Sequence, residues 1–188
     1  MPEPMPTQPS APRISPFFGD AGLLFSIAMV LNALAGAAIG AFGATTSAQA
    51  VELDNGLALA IDPLTSGAGF DNVAWFTVVS MVLGAAVGAF AFGRLRRSRG
   101  PVMLLWVLAV GLVGSYLMLL VALGVGDLMH PVPNLDNFQP GDIAEVFPAM
   151  NPGVAIIVES TLAVAAYWLG MFVAGDDDEP ATPTPDQS

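Results

Sequence analysis

The sequence predicts an all-α integral membrane protein: an antiparallel four-helix transmembrane bundle carrying a small extracytoplasmic β-hairpin. Three observations lead there. Hydrophobic residues make up 54 % of the 188 positions and charged residues only 11 %, against roughly 25 % charged in a soluble domain. Mean hydropathy is +0.67, which favours lipid as the solvent. Four apolar runs each reach the roughly 20 residues that cross a bilayer, and backbone polar groups in lipid must be satisfied internally, so each run is a helix.

Residues 1–20 hold many prolines and no sustained apolar period, the composition of a disordered tail. The bundle is expected over 21–175, with spans at about 22–44, 72–92, 101–125 and 152–174 and longer loops at 45–71 and 126–151. Pro101 suits the first turn of span three, and Asn151-Pro152 reads as cap and first position of span four. Residues 176–188 are acidic and rich in proline and threonine, a second disordered tail.

Arginine sets the orientation. Arg94, Arg96, Arg97 and Arg99 crowd the short link between spans two and three, Arg13 precedes span one, and neither long loop contains Lys or Arg. The positive-inside rule then places that link and both tails in the cytoplasm and the acidic loops outside. Ser47-Ala48-Gln49-Ala50 resembles a signal-peptidase site, but span one exceeds an h-region of roughly 7–15 residues and is preceded by a single cation. It is therefore read as a retained helix. In the first loop, Asp54-Asn55-Gly56 between Val51-Glu52-Leu53 and Leu57–Ile61 is a type I′ hairpin signal. In the second, 140–147 is expected to form a short surface helix beginning near Asp142.

Net charge is −11, all five cations are arginine, and there is no cysteine. Nucleic acid is a poor partner for so acidic a chain, and disulfides and thiolate chemistry are excluded. The Ala, Gly, Val and Arg bias suggests a GC-rich bacterial genome and thus a bacterial plasma membrane. Four motifs resemble those of an uncharacterised actinobacterial family of four-transmembrane-helix proteins, a domain of unknown function. They are the hairpin at Asp54-Asn55-Gly56, Trp75-Phe76 entering span two, Arg99-Gly100-Pro101 opening span three, and Val146-Phe147-Pro148 before span four. The resemblance implies a topology and supplies no catalytic residues.

Glu159 is the foremost candidate residue. It lies about 6 Å from the centre of span four at 1.5 Å per residue. A charge there costs roughly 2.5–3.5 kcal/mol, which makes intramembrane acids functional candidates. No Lys, Arg or His lies in any span to pair with it, so desolvation should keep it neutral. It is then either a proton or ion site or a structural donor to Asn32 or Ser80. The small residues form ridges: Asn32, Gly36 and Gly40 on span one, Ser80, Gly84 and Gly88 on span two, and a weaker Gly111–Ser115 version on span three. Residues 36–42 and 84–90 differ only at Ile39 against Val87, which resembles an internal duplication. Such ridges bring helices close, either within one bundle or against a partner.

The loop residues Asp127, His130, Asp136, Asp142 and Glu145 match no metal-ligand spacing, and the acidic 176–179 run reads as solvated. Thr182 and Thr184 precede prolines and are candidate phosphorylation sites. The one histidine is in a loop, there is no H-E-x-x-H or G-x-x-x-x-G-K-[ST] motif, and Gly114-Ser115-Tyr116 is no nucleophile elbow. No cofactor is expected, and the spans offer no histidine for haem. The expected function is a non-catalytic accessory or interaction subunit of a larger envelope or respiratory assembly, binding a membrane-protein partner or a second copy. The alternative is a small transporter or proton-coupled module using Glu159; a lipid-phase enzyme lacks a visible catalytic pair.

Overall fold

The computed structural model describes residues 16–53, 56–63, 66–96, 99–134 and 138–174. Among the described residues, four helices are long and apolar enough to cross a membrane. They are α1 (Pro16–Phe42), α2 (Ala68–Arg94), α3 (Pro101–Met129), and α4 (Val158–Ala174) extended backwards by a 3-10 segment at Gly153–Ile157. Three strands, β1 (Thr46–Leu53), β2 (Gly56–Ile61) and β3 (Ile143–Val146), form one antiparallel sheet in the order β2-β1-β3. The sheet stands at one end of the bundle and the arginine link at the other.

Most helix ends depart from the sequence reading, and three of the departures have a visible local cause. Residues 16–20, expected in the tail, open α1; proline is pre-organised for a first helical turn, and the Trp106 indole fixes this end by donating to the Ala21 carbonyl at 3.0 Å. α3 runs past the expected boundary at 125 to Met129. Gly126, which looks like a helix stop, is the seat of the Phe147 ring: any side chain at this position would overlap that ring. Asn151 does not cap span four. Pro152 is the boundary residue, no side chain caps it, and a 3-10 turn precedes the α-helix. Ser160 Oγ and Thr161 Oγ1 both donate to the Ile157 carbonyl, at 2.9 and 2.8 Å, and so satisfy the junction.

The hairpin is present, with Leu53 paired to Gly56 and Ala48 to Ile61; Asp54 and Asn55 of its turn lie outside the described residues. The expected helix over 140–147 is a correction: Ile143–Val146 is a strand, paired to Thr46–Gln49. The Ala50 N–H donates to the Asp142 carbonyl at 2.8 Å and the Gly141 N–H to the Ala50 carbonyl at 2.9 Å. Asp142 uses its carboxylate to cap the Gln139 N–H at 2.8 Å, as a turn residue does. A free partner edge on β1 decides the conformation of such a short segment.

Consecutive helices alternate in direction, yet the closest pairs are the parallel ones, α1 with α3 and α2 with α4. The glycine ridges explain this. Gly36 and Gly40 bring α1 onto the Met118 and Ala122 carbonyls of α3. Gly84 and Gly88 bring α2 onto the Glu159 and Ala163 carbonyls of α4 in the same way. At these points the helix backbones touch, as small-residue ridges permit, and Cα–H groups face carbonyl oxygens. Two apolar clusters fill the interior. One, around Phe76, Met118, Ala122 and Phe147, lies towards the sheet. The other, around Leu24, Val87, Met103 and Tyr167, lies towards the arginine link.

A methyl group at Gly84 or Gly88 has no room against the α4 backbone, so Gly84→Ala and Gly88→Ala should each destabilise by about 1–3 kcal/mol. Gly93 faces open space, and Gly93→Ala should be neutral or gain up to about 1 kcal/mol of helix propensity. Thermal unfolding of the three variants in mild detergent checks the ranking.

Candidate functional site

Between the two apolar clusters lies a polar layer of Asn32, Ser80, Ser115 and Glu159, each with no solvent exposure. Ser115 sits at the midpoint of α3, Ser80 beside the midpoint of α2, and Asn32 less than a turn past that of α1. Glu159 belongs to the first turn of α4, yet through its neighbours it occupies the middle depth of the bundle.

All four helices position this carboxyl group. From α1, Asn32 Nδ2 donates to Glu159 Oε1 at 2.9 Å and to the Ala28 carbonyl at 3.0 Å. From α3, Ser115 Oγ lies 3.0 Å from Glu159 Oε2 and 3.1 Å from the Gly111 carbonyl. From α2, Gly84 bears directly on the Glu159 backbone. The Ser115 hydroxyl has one proton and two oxygens in reach. One assignment satisfies the whole chain without placing a charge in the span. Asn32 N–H donates to Oε1, the Glu159 Oε2–H donates to Ser115 Oγ, and Ser115 O–H donates to the Gly111 carbonyl. The site can hold one proton in a continuous hydrogen-bonded chain.

Ser80, named by sequence as a possible partner of Glu159, makes no hydrogen bond to it, and Ser80 Oγ and Asn32 Oδ1 are buried without partners. Ser115 makes that contact instead. Gly114, named in the sequence only in rejecting a nucleophile elbow, is a residue on which the site depends: a Cβ there would lie 2.5 Å from Asn32 Nδ2 and 3.1 Å from Glu159 Oε1. A signal existed, because Gly111, Gly114 and Ser115 are small residues at i, i+3 and i+4 on one helix face. Gly111 faces the α4 backbone, where a Cβ would meet Ser160 Cα at 2.7 Å.

The other candidates lie apart from this layer. Arg94 and Arg96 are exposed at the end of α2, and Arg97 is outside the described residues. Arg99 turns back: its Nε and Nη2 donate to the Phe92 carbonyl at 3.0 and 2.8 Å, and its guanidinium lies 3.7 Å from the Phe92 ring centroid. It thus caps the last turn of α2, while the neighbouring Gly100 N–H donates to Tyr167 Oη at 3.1 Å. Among the described residues no three His, Asp or Glu side chains converge on a point that could hold a metal. Asp136, the 176–179 acids, Thr182 and Thr184 fall outside the described residues.

Substitution distinguishes the roles open to Glu159. Glu159→Gln preserves an acceptor for Asn32 and a donor for Ser115, and should cost under about 1 kcal/mol. Glu159→Ala leaves both partners unpaired and opens a cavity, and should cost about 2–4 kcal/mol. Unfolding of the two variants in detergent reads the difference; equal losses would mean that the negative charge itself is required.

No family model, no curated protein and no solved structure matches this chain. The site geometry therefore bears the weight of the functional reading.

Proposed function

We propose that this helical membrane protein is a non-catalytic accessory or interaction subunit of a larger bacterial envelope or respiratory assembly. In this reading the arginine link and both termini are cytoplasmic and the sheet faces outward. The supporting observation is where the small residues are used. Gly36, Gly40, Gly84, Gly88, Gly111 and Gly114 are all consumed in contacts between helices of this chain, and both oxygens of the Glu159 carboxyl are engaged by Asn32 and Ser115 of the same chain. What the molecule offers to a partner is the sheet. Ala60, Gln49 and Ile143 line up across the three strands on the face opposite the buried Ala48 and Ala144, and all three are exposed. Glu145 is exposed one row further on β3, and neither sheet-forming loop contains a cation, so a partner with a basic, partly apolar surface is the complement.

Photo-crosslinking amino acids placed at Gln49 and Ile143 in intact cells should each give one discrete adduct, whereas Phe172, exposed on α4, should give none. A lone monomer in mild detergent with no adduct from either sheet position would overturn this reading. The transport alternative draws on a different observation, the unpartnered Asn32 Oδ1 and Ser80 Oγ in the layer of Glu159. Proton or sodium flux into liposomes that disappears in Glu159→Gln would favour it.

A further inference from the structure

α1 is held to α3 and α2 to α4, and towards the sheet end α1 and α2 leave a lateral groove of about 550 Å³ between them. Ala35, Ala38 and Ile39 form one wall and Trp75 and Val79 the other. Through Phe42, Gly43 and Trp75 the groove joins a second cavity of about 410 Å³ nearer the sheet, which carries one charged group, Asp71. Along the helix direction the lining thus changes from mainly apolar, with Asn72 its one polar side chain, to acidic at Asp71. Trp75, 65 % exposed, stands where the two cavities meet, the level at which indoles sit in membranes.

We infer that this groove binds one membrane lipid, with an acyl chain between α1 and α2 and a protonated amine of the headgroup at Asp71. Cross-section separates a chain from a helix. From Ala35 to Gly43 the groove runs about 12 Å at 1.5 Å per residue, so its mean section is about 45 Å². A helix with side chains is about 10–12 Å across, a section of roughly 80–110 Å², and does not enter; a polymethylene chain does. Charge selects the head. Neither 43–71 nor 126–157 contains Lys or Arg, so no lysine or arginine at this end forms an ion pair with Asp71 or attracts an anionic lipid. This site is independent of the sheet surface and of the subunit reading above.

The test is native mass spectrometry of the full chain released from nanodiscs of equal phosphatidylethanolamine and phosphatidylglycerol. The wild type should retain one phosphatidylethanolamine in preference to phosphatidylglycerol. Asp71→Asn, at an exposed position, should lower that preference by roughly threefold, the scale of an exposed ion pair, while still binding one lipid. Ala38→Trp, also at an exposed position, should fill the groove and abolish the adduct with the thermal midpoint unchanged. Equal retention of the two lipids by the wild type, or an undiminished adduct in Ala38→Trp, would overturn the inference. So would a polypeptide, in place of lipid, crosslinked at Ala38.

Discussion

The Glu159 carboxyl accepts a hydrogen bond from Asn32 on α1 and makes another with Ser115 on α3, while the backbone behind it rests on Gly84 of α2. An acid at mid-depth without a countercharge is tolerable only when the protein supplies every donor and acceptor that water would have supplied. That requirement reaches all four helices at once. Gly114 must lack a side chain so that the Asn32 amide can cross, and Gly84 must lack one so that α4 can come close enough to be held. In lipid the apolar surfaces of helices gain little by meeting each other. A buried polar layer between two apolar clusters therefore gives the bundle a fixed register that side-chain packing alone would specify less sharply.

The two near-identical segments, 36–42 and 84–90, do the same work in opposite halves of the molecule. In the α1–α3 pair the glycines meet Met118 and Ala122, nearer the sheet; in the α2–α4 pair they meet Glu159 and Ala163, nearer the arginine link. Met118 thus holds the place in one pair that Glu159 holds in the other. Because α1 and α2 run in opposite directions, the two pairs stand as an inverted repetition of one packing motif. The acid occurs in only one of them. The lateral groove follows from the same arrangement: near the sheet, α1 is drawn onto α3 by Gly36 and Gly40 while α2 carries no glycine ridge there to draw it towards α1.

The four spans could be read from the sequence because hydrocarbon imposes one requirement on every residue in them, and the β1–β2 hairpin because turn chemistry is local. Features that depend on distant neighbours could not. β3 is a strand only because β1 presents an edge to it. Gly126 continues α3 because Phe147, from another loop, fills the space its missing side chain leaves. Arg99 reads as a topology signal, and its contact with the Phe92 carbonyl depends on how the link folds back. The identification of Glu159 needed only its position in an apolar run, and Asn32 was in reach by depth. Choosing between Ser80 and Ser115 required the order of helices around the bundle, which periodicity does not contain.

The same contacts bear on whether span one could be a removable leader. Cutting after Ala50 would divide β1 in the middle of its pairing with β2 and release the half that pairs with β3. It would also remove Asn32, taking away the donor to Glu159 Oε1, and strip α3 of the ridge that covers Met118 and Ala122. Asn72, whose amide now bonds both the N–H and the carbonyl of Ala44 at 2.7 and 2.9 Å, would face lipid unpaired. The losses at Glu159 and Asn72 leave buried polar groups without partners, at about 1–3 kcal/mol apiece, and the loss of the ridge adds unfilled packing space. Together they rival the roughly 5–15 kcal/mol that separates a folded domain from its unfolded state. α1 is thus tied to the polar layer through Asn32, to the sheet through β1 and to α3 through its glycine ridge.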